Sequence, residues 1–140
     1  MRNKSAASLE AAFLAARYTV HAPSGDIMLK IGRHSAGLAA LMAAKGWNSL
    51  ALITAYNPHA RPRDAQANAF AQQDLRQAAE ALSLPCLAGC NSAPDGGEPV
   101  EPTVAIAEIS LAKAQALAAR FGQLALVYAD AGAIPRLIWV

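Results

Sequence analysis

The chain has 140 residues, of which 54% are hydrophobic and only 6% aromatic, and its 12 basic and 10 acidic side chains leave a formal net charge of +2. This length fits a single domain over 1–140, which buries about two-thirds of the surface of its unfolded chain. The charge is too balanced to argue for a nucleic-acid footprint by itself, and no apolar segment approaches the roughly 20 residues of a membrane span.

The N-terminal segment imitates a signal peptide, because the basic residues of Met1–Lys4 precede the apolar residues 11–16. Glu10 interrupts this apolar run, so an amphipathic helix is the better interpretation. We predict that the helix is capped by Ser8 and reaches Arg17. With no signal peptide and no membrane span, the expected location is the cytoplasm.

Two short strands are predicted next, over 18–22 and 27–31, and the Pro-Ser-Gly-Asp sequence between them is typical of a hairpin turn. Ser35 or His34 then begins a short helix. Gly46 ends that helix, because glycine readily adopts the left-handed conformation of a helix C-terminus.

The most informative segment is Leu50-Ala-Leu-Ile-Thr-Ala-Tyr-Asn-Pro58. Its apolar half predicts a buried strand, and its second half brings polar side chains to the end of that strand. Binding and catalytic residues are often found in such loops. We therefore take Thr54, Tyr56 and Asn57 as candidate site residues.

A long helix is predicted from Asp64, as N-cap, to about Ser83. Its apolar positions follow helical spacing and are Ala71, Leu75, Ala78, Ala79 and Leu82. Asn68 lies on the same helix face, seven residues before Leu75. We interpret Asn68 as a buried amide at the edge of a pocket rather than a capping or solvent-facing residue, and a buried amide requires hydrogen-bond partners.

The rest of the chain alternates strands and one helix. The predicted elements are a strand over 86–89, a turn-rich loop over 91–102, a strand over 103–109, a helix from Ser110 ended by Gly122, a strand over 124–129 and a final strand over 134–140.

The order of elements predicts an α+β fold with a ferredoxin-like split βαβ core over 50–129. An N-terminal helix and hairpin and a C-terminal extra strand complete it. Right-handed crossovers then bring five separated polar residues to one edge of the sheet. These residues are Asn57, Asn68, Glu101, Thr103 and Gln123.

The sequence shows no pattern for a metal or a cofactor. Cys86 and Cys90 lie four residues apart on a predicted strand, hence roughly 13 Å apart, and a disulfide needs Cα atoms closer than about 7 Å. We expect free thiols. No histidine pair accompanies them, and neither a phosphate-binding glycine loop nor a nucleophile paired with a base is visible.

The chain resembles the bacterial family DUF3293, a domain of unknown function. The resemblance rests on Ile53-Thr-Ala-Tyr-Asn-Pro58, Asn68 followed by Leu75, Glu101 before Thr103, and Phe121-Gly-Gln123 followed by Ala125. It extends from about Tyr18 to Leu137. The family usually has Trp-x-Glu before a serine where this chain has Val100-Glu-Pro-Thr103, which implies that an aromatic wall of the expected pocket is missing. The resemblance implies no reaction.

Three functions stay open at this point. The first is a small binding domain whose polar pocket holds a hydrogen-bonding or anionic ligand, with Arg61 in the basic loop His59–Arg63 attracting an anion. The second is an enzyme with Glu101 as general acid or base, which requires a buried carboxyl with a raised pKa.

The third function is a protein- or RNA-interaction module. RNA is the weakest option, because no stacking aromatics line a predicted sheet face. The last strand carries Ile138, Trp139 and Val140, and an exposed apolar edge there would favour a homodimer.

Overall fold

The structure is a computed structural model that describes residues 5–140. Met1–Lys4, the basic start of the segment that imitates a signal peptide, lies outside the described residues. The helices are α1 (Ala6–Ala15), α2 (Ala36–Lys45), α3 (Ala65–Ala81) and α4 (Leu111–Arg120), with a 3-10 turn over Pro58–Ala60. The strands are β1 (Arg17–Ala22), β2 (Gly25–Leu29), β3 (Ser49–Ile53), β4 (Cys86–Ser92), β5 (Glu101–Ala107), β6 (Ala125–Asp130) and β7 (Arg136–Trp139).

The strands of the described chain form one sheet in the order β2-β1-β4-β5-β3-β6-β7, and every neighbouring pair is antiparallel. The predicted α+β class is therefore confirmed. The N-terminal hairpin extends the sheet beyond β4, with Val20 opposite Gly89. The C-terminal strand β7 extends it on the other side by pairing with β6.

Helices cover both faces of the sheet, because alternate residues of the central strand β3 are buried in two different cores. On one face Ile53 packs with α3 and α4 through residues such as Leu75 and Ala114. On the other face Leu52 belongs to a core that includes Leu38 of α2. The candidate site lies at the end of β3 that leads into the loop before α3.

Several predicted helix ends are confirmed by their capping contacts. The side chain of Asp64 accepts a hydrogen bond from the backbone of Gln66 at the start of α3. Ser35 and Ser110 cap α2 and α4 in the same way. Gly46, with φ 70°, ends α2 in the left-handed conformation.

The predicted start of the first helix at Ser8 is wrong. Ser5 is the N-cap of α1, and its side chain accepts a hydrogen bond from the backbone N–H of Ser8. The helix ends at Ala15 rather than Arg17, because Arg17 already pairs with Ser92 as part of β1.

The strands of the hairpin and of β4 also differ from their predicted bounds. Residues of β2 pair from Gly25 onward, opposite Ala22, so the turn is tighter than predicted. β4 continues to Ser92 rather than ending at Gly89, because its last residues pair with β1 on one side and β5 on the other. The long loop is thereby shortened to 93–100.

Candidate functional site

The segment after β3 leaves the sheet through a backbone conformation that is unusual for residues other than glycine. Asn57, His59 and Ala60 have φ angles of 47°, 59° and 57°. Asparagine tolerates the left-handed region better than most residues, but alanine does not, and such conformations persist only where the surroundings hold them. This turn is therefore held in place by contacts with other parts of the chain.

One set of holding contacts comes from the beginning of α3. Asn68 is only 4% exposed, and its Oδ1 accepts hydrogen bonds from the Asn57 backbone N–H at 2.9 Å and from Arg63 Nε at 2.7 Å. Its Nδ2 donates to Asn57 Oδ1 at 2.9 Å. The Arg63 backbone N–H donates to the same Asn57 oxygen at 3.2 Å. These bonds fix the orientation of the Asn57 amide.

A second set comes from the turn after α4. The His59 backbone N–H donates to Gly122 O at 2.7 Å, and Gln123 Nε2 donates to Tyr56 O at 3.1 Å. A Cβ atom built on Gly122 would lie 2.8 Å from Pro58 Cβ, and Gly122 has φ 70°. Glycine is thus required at Gly122 for both conformation and space.

The oriented Asn57 amide points at a carboxyl group. Asn57 Nδ2 donates to Glu101 Oε1 at 3.1 Å, and Glu101 is the first residue of β5. Burial raises the pKa of Glu101 above its ordinary value, and hydrogen bonds from the Asn57 and Asn91 side chains partly oppose that rise. The carboxyl group is therefore easier to protonate than one in water.

Glu101 belongs to a row of side chains across three strands. Asn91 is opposite Glu101 on β4 and opposite Tyr18 on β1. Burial, with a smaller contribution from the Glu101 charge, raises the pKa of Tyr18, whose hydroxyl donates to Phe13 O at 2.7 Å. This hydrogen bond joins α1 to the row.

Two residues after Glu101 on β5 is Thr103, on the same face of the sheet, and it is 5% exposed. Its Oγ1 is covered and has no hydrogen-bond partner among the described residues. A Cβ atom built on Gly89, the residue opposite, would lie 2.8 Å from this oxygen and 2.4 Å from Thr19 O. The absence of a side chain at Gly89 therefore makes the space for Thr103.

These residues line a cavity of about 1170 Å³. Its polar wall contains Thr54, Tyr56, Asn57, Asn91, Glu101, Thr103 and Gln123. Its apolar wall is formed by α1 and the central strands, and includes Leu9, Ala12, Phe13, Leu52, Leu126, Val127 and Leu137. His59, Ala60, Arg61 and Pro62 line it as well. The arrangement offers polar groups and an apolar surface to the same molecule.

The structure places seven of the eight predicted site residues on this cavity, including Arg61, which is exposed. The eighth, Asn68, is buried behind the polar wall and contacts Asn57 instead. Thr54 uses its hydroxyl to donate to Pro102 O at 2.8 Å, so its hydrogen is already engaged.

Sequence reasoning missed three contributors to the site. Strand direction brings Asn91 to the same edge of the sheet but does not mark it as a site residue, and Tyr18 joins the site through pairing between β1 and β4, which no local pattern indicates. Arg63 belongs to the basic loop His59–Arg63, and its guanidinium donates to Asn68 and, at 3.2 Å, to Ala55 O. Arg63 and Asn68 are five positions apart, and that spacing alone gives no signal.

The fold and site define a small α+β protein with a polar cavity on one face of an antiparallel sheet. Residues 53–126, just over half of the chain, match the family model described as "Protein of unknown function (DUF3293)". The chain belongs to this family. No curated protein and no solved structure matches it significantly.

The two sequence blocks that carry the family resemblance meet in the site, since Tyr56 and His59 are hydrogen-bonded to the segment that contains Gly122 and Gln123. Val100, the residue before Glu101, is 44% exposed. Phe13 and Tyr56 are aromatic residues that line the cavity of this chain.

Other features concern the described residues alone. No helix within 5–140 is long and apolar enough to cross a membrane. Over the same range, no three or more His, Cys, Asp or Glu side chains are grouped so that they could hold a metal ion. Cys86 and Cys90 are free and only partly buried.

Proposed function

We propose that the cavity binds a small ligand that carries a hydrogen-bonding or anionic group. The observation that carries this proposal is the Asn57 amide, held by Asn68 behind it and directed at Glu101 beside an apolar wall. Small-molecule sites typically combine a concave apolar surface with a few fixed polar groups. Preorganised groups bind more tightly, because less conformational entropy is lost on binding.

The basic loop supports an anionic group on the ligand. Arg61 and His59 line the cavity, and their side chains form no hydrogen bond with other described residues. Arg63, by contrast, is engaged with Asn68. A carboxylate or phosphate at the rim would therefore meet Arg61 as a free guanidinium, which suits both anions geometrically.

A thermal-shift screen against anionic metabolites and nucleotides tests the proposal. Asn57→Gly is the suitable variant, because glycine adopts the left-handed conformation of this position while removing the amide. Asn48→Ala is the matched control, since Asn48 is exposed and precedes β3 at its opposite end. Stabilisation of the wild type and Asn48→Ala, but not of Asn57→Gly, is expected. If no compound of the library stabilises the wild type, a binding function is contradicted.

The raised pKa of Glu101 favours an enzyme as the second candidate. A carboxyl that is protonated more readily than usual is suited to general acid or base catalysis. The reaction is open. Measuring the Glu101 carboxyl shift by NMR against pH tests this candidate, and a titration indistinguishable from that of exposed glutamates would remove its acid or base.

We propose further that residues 50–129 form a ferredoxin-like unit. Its support is that β4, β5, β3 and β6 are adjacent in the sheet and that α3 and α4 pack on one face. That 1–140 is one domain and that the protein is cytoplasmic stay predictions. A homodimer through β7 is also a proposal, supported by the exposure of Trp139 and Val140, which are 43% and 46% exposed.

A further inference from the structure

We propose that the polar wall of the cavity beside Glu101 binds the ammonium group of its ligand and that Glu101 is the residue that selects it. Together with an anionic group at the rim near Arg61, this makes the ligand a small amphipathic zwitterion. The inference rests on the proposed binding function and names the class of molecule for the same cavity.

The first argument is that Glu101 has no counter-ion. It is partly buried, and no cation forms an ion pair with it among the described residues, where the ion pair present joins His21 and Asp26. Arg63, which is linked to Asn57 through Asn68, directs its guanidinium to Asn68 and Ala55 O. A buried charge is costly without a partner, and a cationic ligand would supply that partner.

The second argument is that the donors of the polar wall are largely used. The hydroxyls of Tyr18 and Thr54 donate to backbone carbonyls of Phe13 and Pro102. Gln123 Nε2 donates to two carbonyls, those of Tyr56 and Phe121, at 3.1 and 3.3 Å. The Thr103 hydroxyl has no partner among the described residues and can accept as well as donate, so a ligand with several donors finds acceptors there.

The acceptors, in contrast, have free capacity. A carboxylate offers about four lone-pair positions, and Glu101 uses two of them for the Asn57 and Asn91 amides, which leaves about two free. Gln123 Oε1 accepts no hydrogen bond from other described residues. An ammonium group has three donors and no acceptor, so it matches this wall better than a hydroxyl or a carboxylate does.

The apolar wall indicates the kind of chemical group that carries the ammonium. Leu9, Phe13 and Leu137 line the cavity beside the polar groups, and each is only partly buried, so apolar surface remains there for a ligand to cover. Hydrocarbon placed against this surface leaves water at a favourable free energy. A fully hydrated small amine would leave that wall uncovered, so the ligand is an amine with an apolar body.

Three probes that share one apolar body test the inference: 3-phenylpropylamine, 3-phenylpropanol and 3-phenylpropionate. Their affinities are measured by NMR titration at pH about 8, with the wild type, Glu101→Gln and Glu80→Gln. Gln at position 101 retains an oxygen for Asn57, and amide spectra verify folding. Glu80 is an exposed carboxylate on α3 and serves as the matched control.

The amine is expected to bind the wild type and Glu80→Gln about tenfold more tightly than the alcohol or the acid, and this preference disappears in Glu101→Gln. Tighter binding of the acid or alcohol at the cavity residues overturns the ammonium inference and leaves the cavity as a binding site. Equal amine affinity in Glu101→Gln overturns it as well. If no probe binds, the inference falls, and the metabolite screen decides the binding function separately.

Discussion

The hydrogen bonds of Asn68 allow a quantitative prediction for the variant Asn68→Leu, which keeps similar bulk and removes the amide. Two neutral bonds to Asn57, at about 1 kcal/mol each, and one to the charged Arg63, at about 1.5–3 kcal/mol, would be lost. Arg63 is exposed enough to regain water, so we expect a loss of about 3 kcal/mol in the free energy of unfolding. That corresponds to a decrease of about 10 °C in Tm.

Urea denaturation with a common m value measures this loss. Gln72→Met is the matched control on the same helix, because Gln72 is also buried, at 6% exposure, but makes one hydrogen bond, at 2.9 Å to Ala55 N. Its Nε2 has no partner among the described residues, so the control should change stability by less than about 1 kcal/mol. Equal losses in the two variants would refute the role assigned to the Asn68 contacts.

Three further predictions concern stability. The raised pKa of Glu101 contributes stability below the unfolded-state pKa of about 4.3, and this contribution is lost as pH rises through the folded-state pKa. The Tm of Glu101→Gln relative to that of the wild type should therefore increase from pH about 4 to about 8. A Tm difference that stays constant over this range would contradict the burial effect. Gly89→Ala should lower the free energy of unfolding by about 2 kcal/mol or more, measured by urea denaturation, because its Cβ would lie 2.4 Å from Thr19 O. An unchanged free energy of unfolding would contradict the close approach of the two strands. Leu75→Ala should lower the free energy of unfolding by about 3 kcal/mol, because Leu75 is fully buried. Phe70→Ala should lower it little, because Phe70 is 65% exposed on the same helix. Similar losses in the two variants would contradict the assigned buried face of α3.

Local patterns were sufficient for the central part of the fold. The stripe of α3 is apolar where it meets the sheet, and Leu75 and Ala79 are indeed fully buried. Capping residues such as Asp64 can be recognised because their side chains satisfy backbone groups within the next turn. Asn68 interrupts the stripe and is buried in the structure, which is why an interrupted pattern was informative.

The direction of consecutive strands also carried information about the candidate site. A strand, a helix and a returning strand place the residues after β3 and before β5 at the same end of the sheet. Asn57 and Glu101, which are 44 residues apart, are accordingly hydrogen-bonded in the structure. What this contact does chemically is not encoded in the strand order.

Contacts that depend on which strands pair could not be predicted. β1 pairs with β4, so Tyr18 and Asn91 enter the row of Glu101 through a register that depends on the whole sheet. The helix α1 has no buried residue, and its side chains Leu9 and Phe13 line the cavity rather than filling a core. The amphipathic pattern predicts a helix here but does not show which element that helix faces.

The most direct test of the proposed function is an NMR fragment screen of the isotope-labelled protein. We predict that the polar fragments that bind shift the resonances of Asn57, Asn91 and Glu101 together. Shifts confined to the shallow groove near Asp74 and Arg120, between α3 and the end of α4, would contradict the assignment of the site to the cavity.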